Sequence, residues 1–287
     1  MKKSYHIIIV GAVFIIGLII GSFLDLKINS SIFSDRNMAG LIIALLGILP
    51  GYSLLALFSG FLFENELKIK HPMPYRVFVF ILALVGYGLS IYSFGKEVFS
   101  VNCFNVKKVF YLGFVIALVW MSGCAYLGYF LGKKYSNENT WKIIITAFAV
   151  AAVALGLVLI IKPIFDRPRF RIAVLNNEDY FRNWWQIYDG PKAYAKEEFK
   201  SFPSGHTCGA AISMVFLPYL GLLIEPLKKH RLTFFYSAFA LTLLVAFVRM
   251  WVGAHFLSDV SMGAILLVAC YFLGNHFLLH KTFKLTE

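Results

Sequence analysis

The chain has 287 residues, of which 59% are hydrophobic and 17% aromatic, and its mean hydropathy is +0.73. An apolar share this far above the roughly 45–50% of ordinary soluble domains argues against a water-soluble globular fold and for a polytopic membrane protein. The formal charge of +12 does not signal a nucleic-acid partner, because the basic residues are spread over many short connections with no basic helix or reading motif.

Eight segments approach or exceed the length at which an apolar helix crosses about 30 Å of hydrocarbon. They fall at roughly 6–24, 38–63, 77–95, 109–131, 143–161, 207–224, 232–251 and 257–279. The first follows the basic start MKKSYH. Its apolar run exceeds the about 7–15 residues of a signal-peptide core, and no small-x-small cleavage site precedes Asp25, so a retained span is expected. The predicted fold is all-α: a polytopic membrane helix bundle of about eight transmembrane helices. Most connections are short, as antiparallel neighbours in a bundle require.

A cytoplasmic N-terminus puts Lys2, Lys3, Lys68, Lys70, Arg76, Lys133, Lys134, Lys142, Lys228, Lys229, Arg231, Lys281 and Lys284 on the cytoplasmic side. The opposite short loops keep chiefly Lys27, Arg36, Lys96, Lys107 and Lys108. That bias favours both termini inside. Cys103, Cys124, Cys208 and Cys270 form no CxxC pair, and three of them lie in or beside spans, where a buried thiol acts as a small hydrophobe.

One connection breaks the short-loop pattern. Residues 162–206 mix many charges with Phe181, Trp184, Trp185, Tyr188 and Tyr194, a composition that argues against disorder and for a loop lying on the membrane surface. Trp184 and Trp185 suit an aromatic belt at headgroup level, or contact with a substrate. Short helices are expected around 177–187 and in KAYAKEEF. On the assigned topology the loop is extracytoplasmic.

Three clusters carry chemistry. KPIFDRPRF at 162–170 brings Lys162, Arg167 and Arg169 to a membrane edge, where they suit phosphate or simply snorkel to the interface. Pro203, Ser204, Gly205 and His206 precede a helix whose first N–H groups lack partners, so this start is either a phosphate cradle or a serine cap. In VRMWVGAHFLSDV at 248–260, Arg249 ends an apolar run, Gly253 bends the chain, and His255 and Asp259 stand four apart on one helical face. That spacing predicts that Asp259 accepts Nδ1–H of His255 and leaves Nε2 aimed outward as a nucleophile or base; a structural His–Asp cap is the other reading. All three clusters fall at span ends on one predicted side, and together they supply what phosphoryl transfer needs: fixed cations, an in-line nucleophile and an acid.

In order and spacing these residues resemble the three-part signature K-x6-R-P, P-S-G-H, S-R-x5-H-x3-D of the type 2 phosphatidic acid phosphatase (PAP2) family, which shares its site design with vanadium haloperoxidases and glucose-6-phosphatase. The resemblance implies that Lys162, Arg169 and Arg249 bind phosphate, helped by Ser204 and the backbone at Gly205. It further implies that His255, oriented by Asp259, attacks phosphorus to give a phosphohistidine, and that His206 protonates the leaving group. It implies no cofactor and no metal. Phe170 replaces the proline after Arg169, and Val248 the serine before Arg249. Spacing from Lys162 selects Arg169 over Arg167 as the first-cluster ligand.

The resemblance covers about residues 72–287, a six-helix PAP2-like core with the loop 162–206, and makes residues 1–71 two additional N-terminal helices. The implied function is a membrane lipid phosphatase of a bacterial cytoplasmic membrane, with its site on the extracytoplasmic face. Its substrate would be a lipid phosphate or pyrophosphate ester of the undecaprenyl pyrophosphate, phosphatidylglycerol phosphate, phosphatidic acid or lipid A type. A phosphotransferase using the same site, or a transporter whose intramembrane charges line a pathway, are the alternative readings. The expected partners are the lipid substrate and the bilayer, with no nucleic acid; the oligomeric state is left open.

Overall fold

The computed structural model describes residues 5–34, 38–69, 71–100, 108–176 and 179–279. Lys2, Lys3, Arg36, Lys70, Lys107, Lys281 and Lys284 of the charge-bias argument, together with Cys103, lie outside the described residues.

The described residues form helices and no strand. Long helices α1 (Tyr5–Ile32), α2 (Met38–Ile69), α3 (Met73–Ser100), α4 (Lys108–Tyr135) and α5 (Thr140–Phe165) are followed by the short α6 (Phe170–Leu175). After the polar loop come α7 (Gly205–Ala211), α8 (Ser213–Leu223), α9 (Arg231–Trp251) and α10 (Leu257–Gly274). Eight helical stretches are long and apolar enough to cross a membrane, matching the eight segments expected, and the chain reads as a multi-pass membrane protein. Large apolar side chains such as Ile8, Ile16, Phe23, Val119 and Leu159 are exposed along these helices, as lipid-facing surfaces require.

The chain divides into two compact units. One comprises Ile48–Val150, Ile212–Ala238 and Leu273–Glu287. In it α3 packs on α4, and Tyr87 Oη lies 2.6 Å from Ser122 Oγ. The other comprises Met1–Gly47, Ala151–Ala211 and Phe239–Phe272. This second grouping holds α1 and all three sequence clusters.

Two departures from expectation lie in this motif-bearing unit. α1 does not stop before Asp25 but continues to Ile32, because Asp25 and Asn29 are buried at 2% and 0% exposure against polar partners and not in lipid. The helix expected around 177–187 does not form over the described part of that range, 179–187, which is turns and irregular chain. Here the aromatic side chains serve tertiary packing instead: Tyr180 stacks on Tyr188, which packs on the buried Phe199. KAYAKEEF yields one 3₁₀ turn, Lys196–Phe199. The loop is tied to the end of α5 by Tyr188 N–H to Phe165 O (3.0 Å), Arg169 N–H to Glu198 O (2.9 Å) and Ser201 N–H to Arg167 O (2.9 Å).

Candidate active site

The end of α5 sets the first cluster. Pro163 and Pro168 discourage helix beyond this point, and Asp166, with φ of 44°, turns the chain out of the helix. Lys162 stays on the last turn of α5 and donates from Nζ to the Lys200 carbonyl at 2.7 Å. Arg167 then points inward and is fully buried.

Every nitrogen of the Arg167 guanidinium has a protein acceptor. Nε donates to Arg182 O (2.8 Å), Nη1 to Asp259 Oδ1 (2.5 Å) and Ser258 Oγ (2.7 Å), and Nη2 to Asp25 Oδ2 (2.9 Å). Its Cζ also sits 4.2 Å from the Phe256 ring centroid. Four of the five N–H donors of this fully buried arginine are engaged, two of its nitrogens with carboxylates, so Arg167 is built into the protein interior and is a poor candidate for a substrate ligand. Phe170, standing where the family pattern has proline, is fully buried edge-on to Phe33 and Phe256. Val248, at the other departure, is a buried core residue.

The second cluster starts α7. Ser204 is fully buried, its N–H donates to Asp259 O at 2.9 Å, and its Oγ accepts from Thr207 N (3.3 Å) and Thr207 Oγ1 (3.0 Å). This is a serine cap. Because Oγ accepts both bonds, its own proton remains to be donated elsewhere. At Gly205, a Cβ would point toward Lys162 Cε and Val158, each 3.7 Å away, so the lysine flanks the helix start. The next residue, His206, has its ring centroid 6.4 Å from that of His255.

The third cluster is a tight turn between α9 and α10. Gly253 has φ of +65°, which an L side chain rarely adopts, and it bends the chain as the sequence suggested. Arg249, only 6% exposed, lies on the last turns of α9, and its carbonyl accepts from Ala254 N (3.0 Å) and His255 N (3.2 Å). His255 is therefore anchored through its main chain to the residue that supplies a cation.

The expected hydrogen bond between His255 and Asp259 is not the one formed. Nδ1 of His255 lies 2.8 Å from the Ser201 carbonyl, and 3.9 Å from Asp259 Oδ2. Asp259 Oδ2 is already occupied by Ser201 Oγ–H (2.5 Å) and Phe256 N–H (2.8 Å), while Oδ1 takes Arg167. A carbonyl only accepts, so Nδ1 carries the proton and the lone pair is on Nε2. The tautomer is the one anticipated, but the acceptor is a main-chain atom. Asp259 acts at longer range, as a buried negative charge near the imidazole.

Electrostatics link the clusters. Burial holds the His255 imidazole well below its ordinary value of 6.5. Asp259 opposes this, and the charges of Arg249, Lys162 and Arg169 add to it. Glu198 is pushed upward by burial, but the fork from Arg171, followed by Arg169 and Arg249, outweighs this and leaves its carboxyl below the usual range. Lys162, Arg169, Arg249 and His255 thus share one electrostatic neighbourhood.

Sequence reasoning missed Ser201, Asp25 and Asn29. Asp25 Oδ1 accepts Ser258 N–H at 2.9 Å, and Asn29 Nδ2 donates to the His255 carbonyl at 2.8 Å. Two polar residues four apart in an apolar helix were the available signal for the α1 pair. Of the loop tryptophans, Trp184 donates to Ser22 Oγ (2.9 Å) and stacks on Phe202, while Trp185 remains half exposed.

Residues 141–282, which hold all three clusters, match the family model of the PAP2 superfamily. These residues form a PAP2 superfamily domain. No curated protein and no solved structure matches the chain significantly. PAP2 members are generally phosphatases, which supports phosphatase activity on phosphate esters for this one. The PAP2 match begins near the start of α5, so α1 lies outside it even though Asp25 and Asn29 reach the third PAP2 cluster.

Proposed function

We propose that this protein is a membrane lipid phosphatase that hydrolyses a lipid phosphate or pyrophosphate ester through a phosphohistidine. The observation that carries the reading is the buried His255, whose Nδ1 lies 2.8 Å from the Ser201 carbonyl, in the electrostatic reach of Lys162, Arg169 and Arg249 and with the His206 ring centroid 6.4 Å from its own.

In this scheme Lys162, Arg169 and Arg249 bind the non-bridging oxygens of the phosphate, with the Ser204 hydroxyl proton and the main chain at Gly205 as further donors. The Nε2 lone pair of His255 forms a bond to phosphorus as the bond to the leaving oxygen breaks, and His206 delivers its proton to that oxygen. His206, now neutral, takes a proton from water as the water oxygen attacks the phosphohistidine. The P–N bond breaks, inorganic phosphate leaves, and both imidazoles return to their starting states. The Nδ1 proton stays on the ring and hydrogen-bonded to the Ser201 carbonyl throughout, and the positive charge gained by phosphorylated His255 is balanced by Asp259 at 3.9 Å.

The location is part of the proposal. With both termini cytoplasmic, the loop and the site belong to the extracytoplasmic face of a bacterial cytoplasmic membrane, at headgroup depth, where a lipid keeps its tail in the bilayer while its phosphate reaches the cations. Residues 72–287 are read as the six-helix core, with α1 and α2 added to it.

Phosphate release by the purified protein from a panel of phosphatidic acid, phosphatidylglycerol phosphate, undecaprenyl pyrophosphate and lipid A tests the reading. Release from at least one of them, lost in His255→Ala, is expected. Turnover only when a second lipid or sugar acceptor is supplied would make the protein a phosphotransferase, and phospholipid binding without turnover would overturn the enzyme reading.

A further inference from the structure

α1 lies outside the PAP2 match, yet its two buried polar side chains both end on the segment that carries the nucleophile. Asn29 Nδ2 donates to the main-chain carbonyl of His255 itself, at 2.8 Å. Asp25 accepts the Ser258 amide through Oδ1 at 2.9 Å, and its Oδ2 takes both the Ser258 hydroxyl and Arg167 Nη2. Arg167 then reaches Asp259 Oδ1 at 2.5 Å, while Asp259 Oδ2 holds the hydroxyl of Ser201, whose carbonyl receives His255 Nδ1. A continuous set of buried hydrogen bonds therefore runs from α1 to both ends of the turn 255–259 and to the imidazole.

The arrangement is directional. The remainder of α1 presents Ile8, Ile9, Ile15, Ile16, Ile19, Ile20 and Phe23 outward, as a lipid-facing helix does, whereas Asp25 and Asn29 share the inward face four residues apart. The Arg167 cation lies between the carboxylates of Asp25 and Asp259. Without the charge on Asp25, that cation would be balanced by Asp259 alone and would draw its carboxylate away from the imidazole.

We propose that Asp25 and Asn29 on α1 are positioning residues for the nucleophilic histidine, so that the N-terminal helix is a working part of the phosphatase site. The inference rests on the proposed role of His255 and adds to it the residues that fix the ring and its main chain in place. Neither residue touches substrate; both act through His255 and Asp259.

Asp25→Asn keeps an acceptor for the Ser258 amide and removes the charge, while Asn29→Leu keeps the volume and removes the donor to His255. In the purified full-length protein, each is expected to lower kcat for phosphate release on the order of 10- to 100-fold, as small misplacement of a reacting group does. KM should stay within about threefold, because the phosphate-binding cations are untouched. A second readout needs no turnover: histidine ¹⁵N spectra, with the His255 signals assigned by their loss in His255→Gln. Wild type is expected to show the Nδ1–H tautomer at His255, and both variants a shifted or mixed signal.

Wild-type kcat in both variants, or activity lost only in proportion to the unfolded fraction in a thermal melt with the His255 signal unchanged, would overturn the proposal. If Asp25→Asn does not fold, Asn29→Leu decides alone. A wild-type protein that releases no phosphate from any lipid in the panel would remove the phosphatase reading, and the spectra would then decide the positioning claim by themselves: a shifted His255 signal supports it and an unchanged one ends it.

Discussion

The carbonyl oxygen of Ser201 stands 2.8 Å from Nδ1 of His255, more than an ångström closer than the nearest carboxylate oxygen of Asp259. The proton on Nδ1 is therefore held by main chain, and the carboxylate contributes charge and not the hydrogen bond. A graded set of variants follows. His255→Ala removes the proposed nucleophile and should abolish phosphate release. Asp259→Asn keeps the shape but removes the nearby charge, and a kcat loss of about 10²-fold or more is expected by analogy with other histidine–carboxylate pairs. Ser201→Ala leaves the carbonyl in place and deletes only the hydroxyl bond to Asp259. It should cost about 1.5–3 kcal/mol of stability, as for a hydrogen bond to a charged group, with a smaller loss of kcat than Asp259→Asn. Steady-state phosphate release and thermal unfolding measure the series; a Ser201→Ala enzyme as impaired as Asp259→Asn would mean that the hydroxyl, and not the carbonyl, governs the histidine.

Arg167 and Arg169 are two residues apart and have opposite predicted phenotypes. Replacing Arg167 by alanine leaves Asp25 and Asp259 as buried carboxylates without their shared counter-ion, a loss on the order of 3–5 kcal/mol for breaking a buried pair. The expected result is a sharply lower unfolding temperature and little folded protein. Arg169→Ala keeps the main-chain bond to Glu198 and leaves the Arg167 ion pairs intact, so it should lose less stability than Arg167→Ala. Its kcat/KM for phosphate release should fall by about tenfold or more, the scale of one charge-assisted contact to phosphate. Melting curves and kinetics on the same preparations separate the two; activity retained in Arg169→Ala would dismiss that residue as a phosphate ligand.

The eight spans and the three clusters were legible in the sequence because hydropathy and motif spacing are local properties. The partners of Arg167 were not, since Asp25 lies 142 residues away and looked like the polar end of a span. An Asp in an apolar helix reads as a boundary until its counter-ion is known. The four-residue spacing of His255 and Asp259 put them on one side of a turn, but spacing says nothing about Ser201, whose carbonyl arrives from a separate loop. The unformed helix at 179–187 has the same cause: local propensity yielded to the stacking of Tyr180 on Tyr188 and of Trp184 on Phe202.

The pH dependence follows from His255. Its imidazole is held well below 6.5 chiefly by burial, which Asp259 opposes and to which the charges of Arg249, Lys162 and Arg169 add, so the ring is neutral at physiological pH. The acidic limb of kcat/KM should accordingly lie below 6.5, not at the ordinary imidazole position. Stability has the same sign: below 6.5 the unfolded chain binds a proton that folded His255 refuses, so folding weakens as pH falls through that range. Glu198, whose carboxyl is held below its ordinary 4.5, adds stability above that value, which is lost as pH falls through its folded pKa. A pH–rate profile with a melting series checks both, and an acidic limb at or above 6.5 would contradict the electrostatics of the site.

Two glycines near the second cluster should respond differently to the same substitution. A Cβ on Gly263 of α10 would strike the carbonyl oxygen of Ser204, with the Ser204 carbonyl carbon at 3.2 Å and its nitrogen at 3.4 Å, so α10 and the start of α7 approach at main-chain distance there. Main chain yields less readily than a side chain. Gly263→Ala must therefore push the Ser204 turn away from α10, straining the Ser204 N–H bond to the Asp259 carbonyl. Overpacking of this kind typically costs about 1–3 kcal/mol, and here it would also displace the turn that carries His206. A Cβ on Gly205 meets nothing closer than 3.7 Å, so Gly205→Ala should keep the unfolding temperature of the parent. Any loss of phosphate release in Gly205→Ala would then report a ligand occupying the space beside Lys162. Melting temperature and kcat/KM for the two variants measure the contrast, which fails if Gly263→Ala is silent in both.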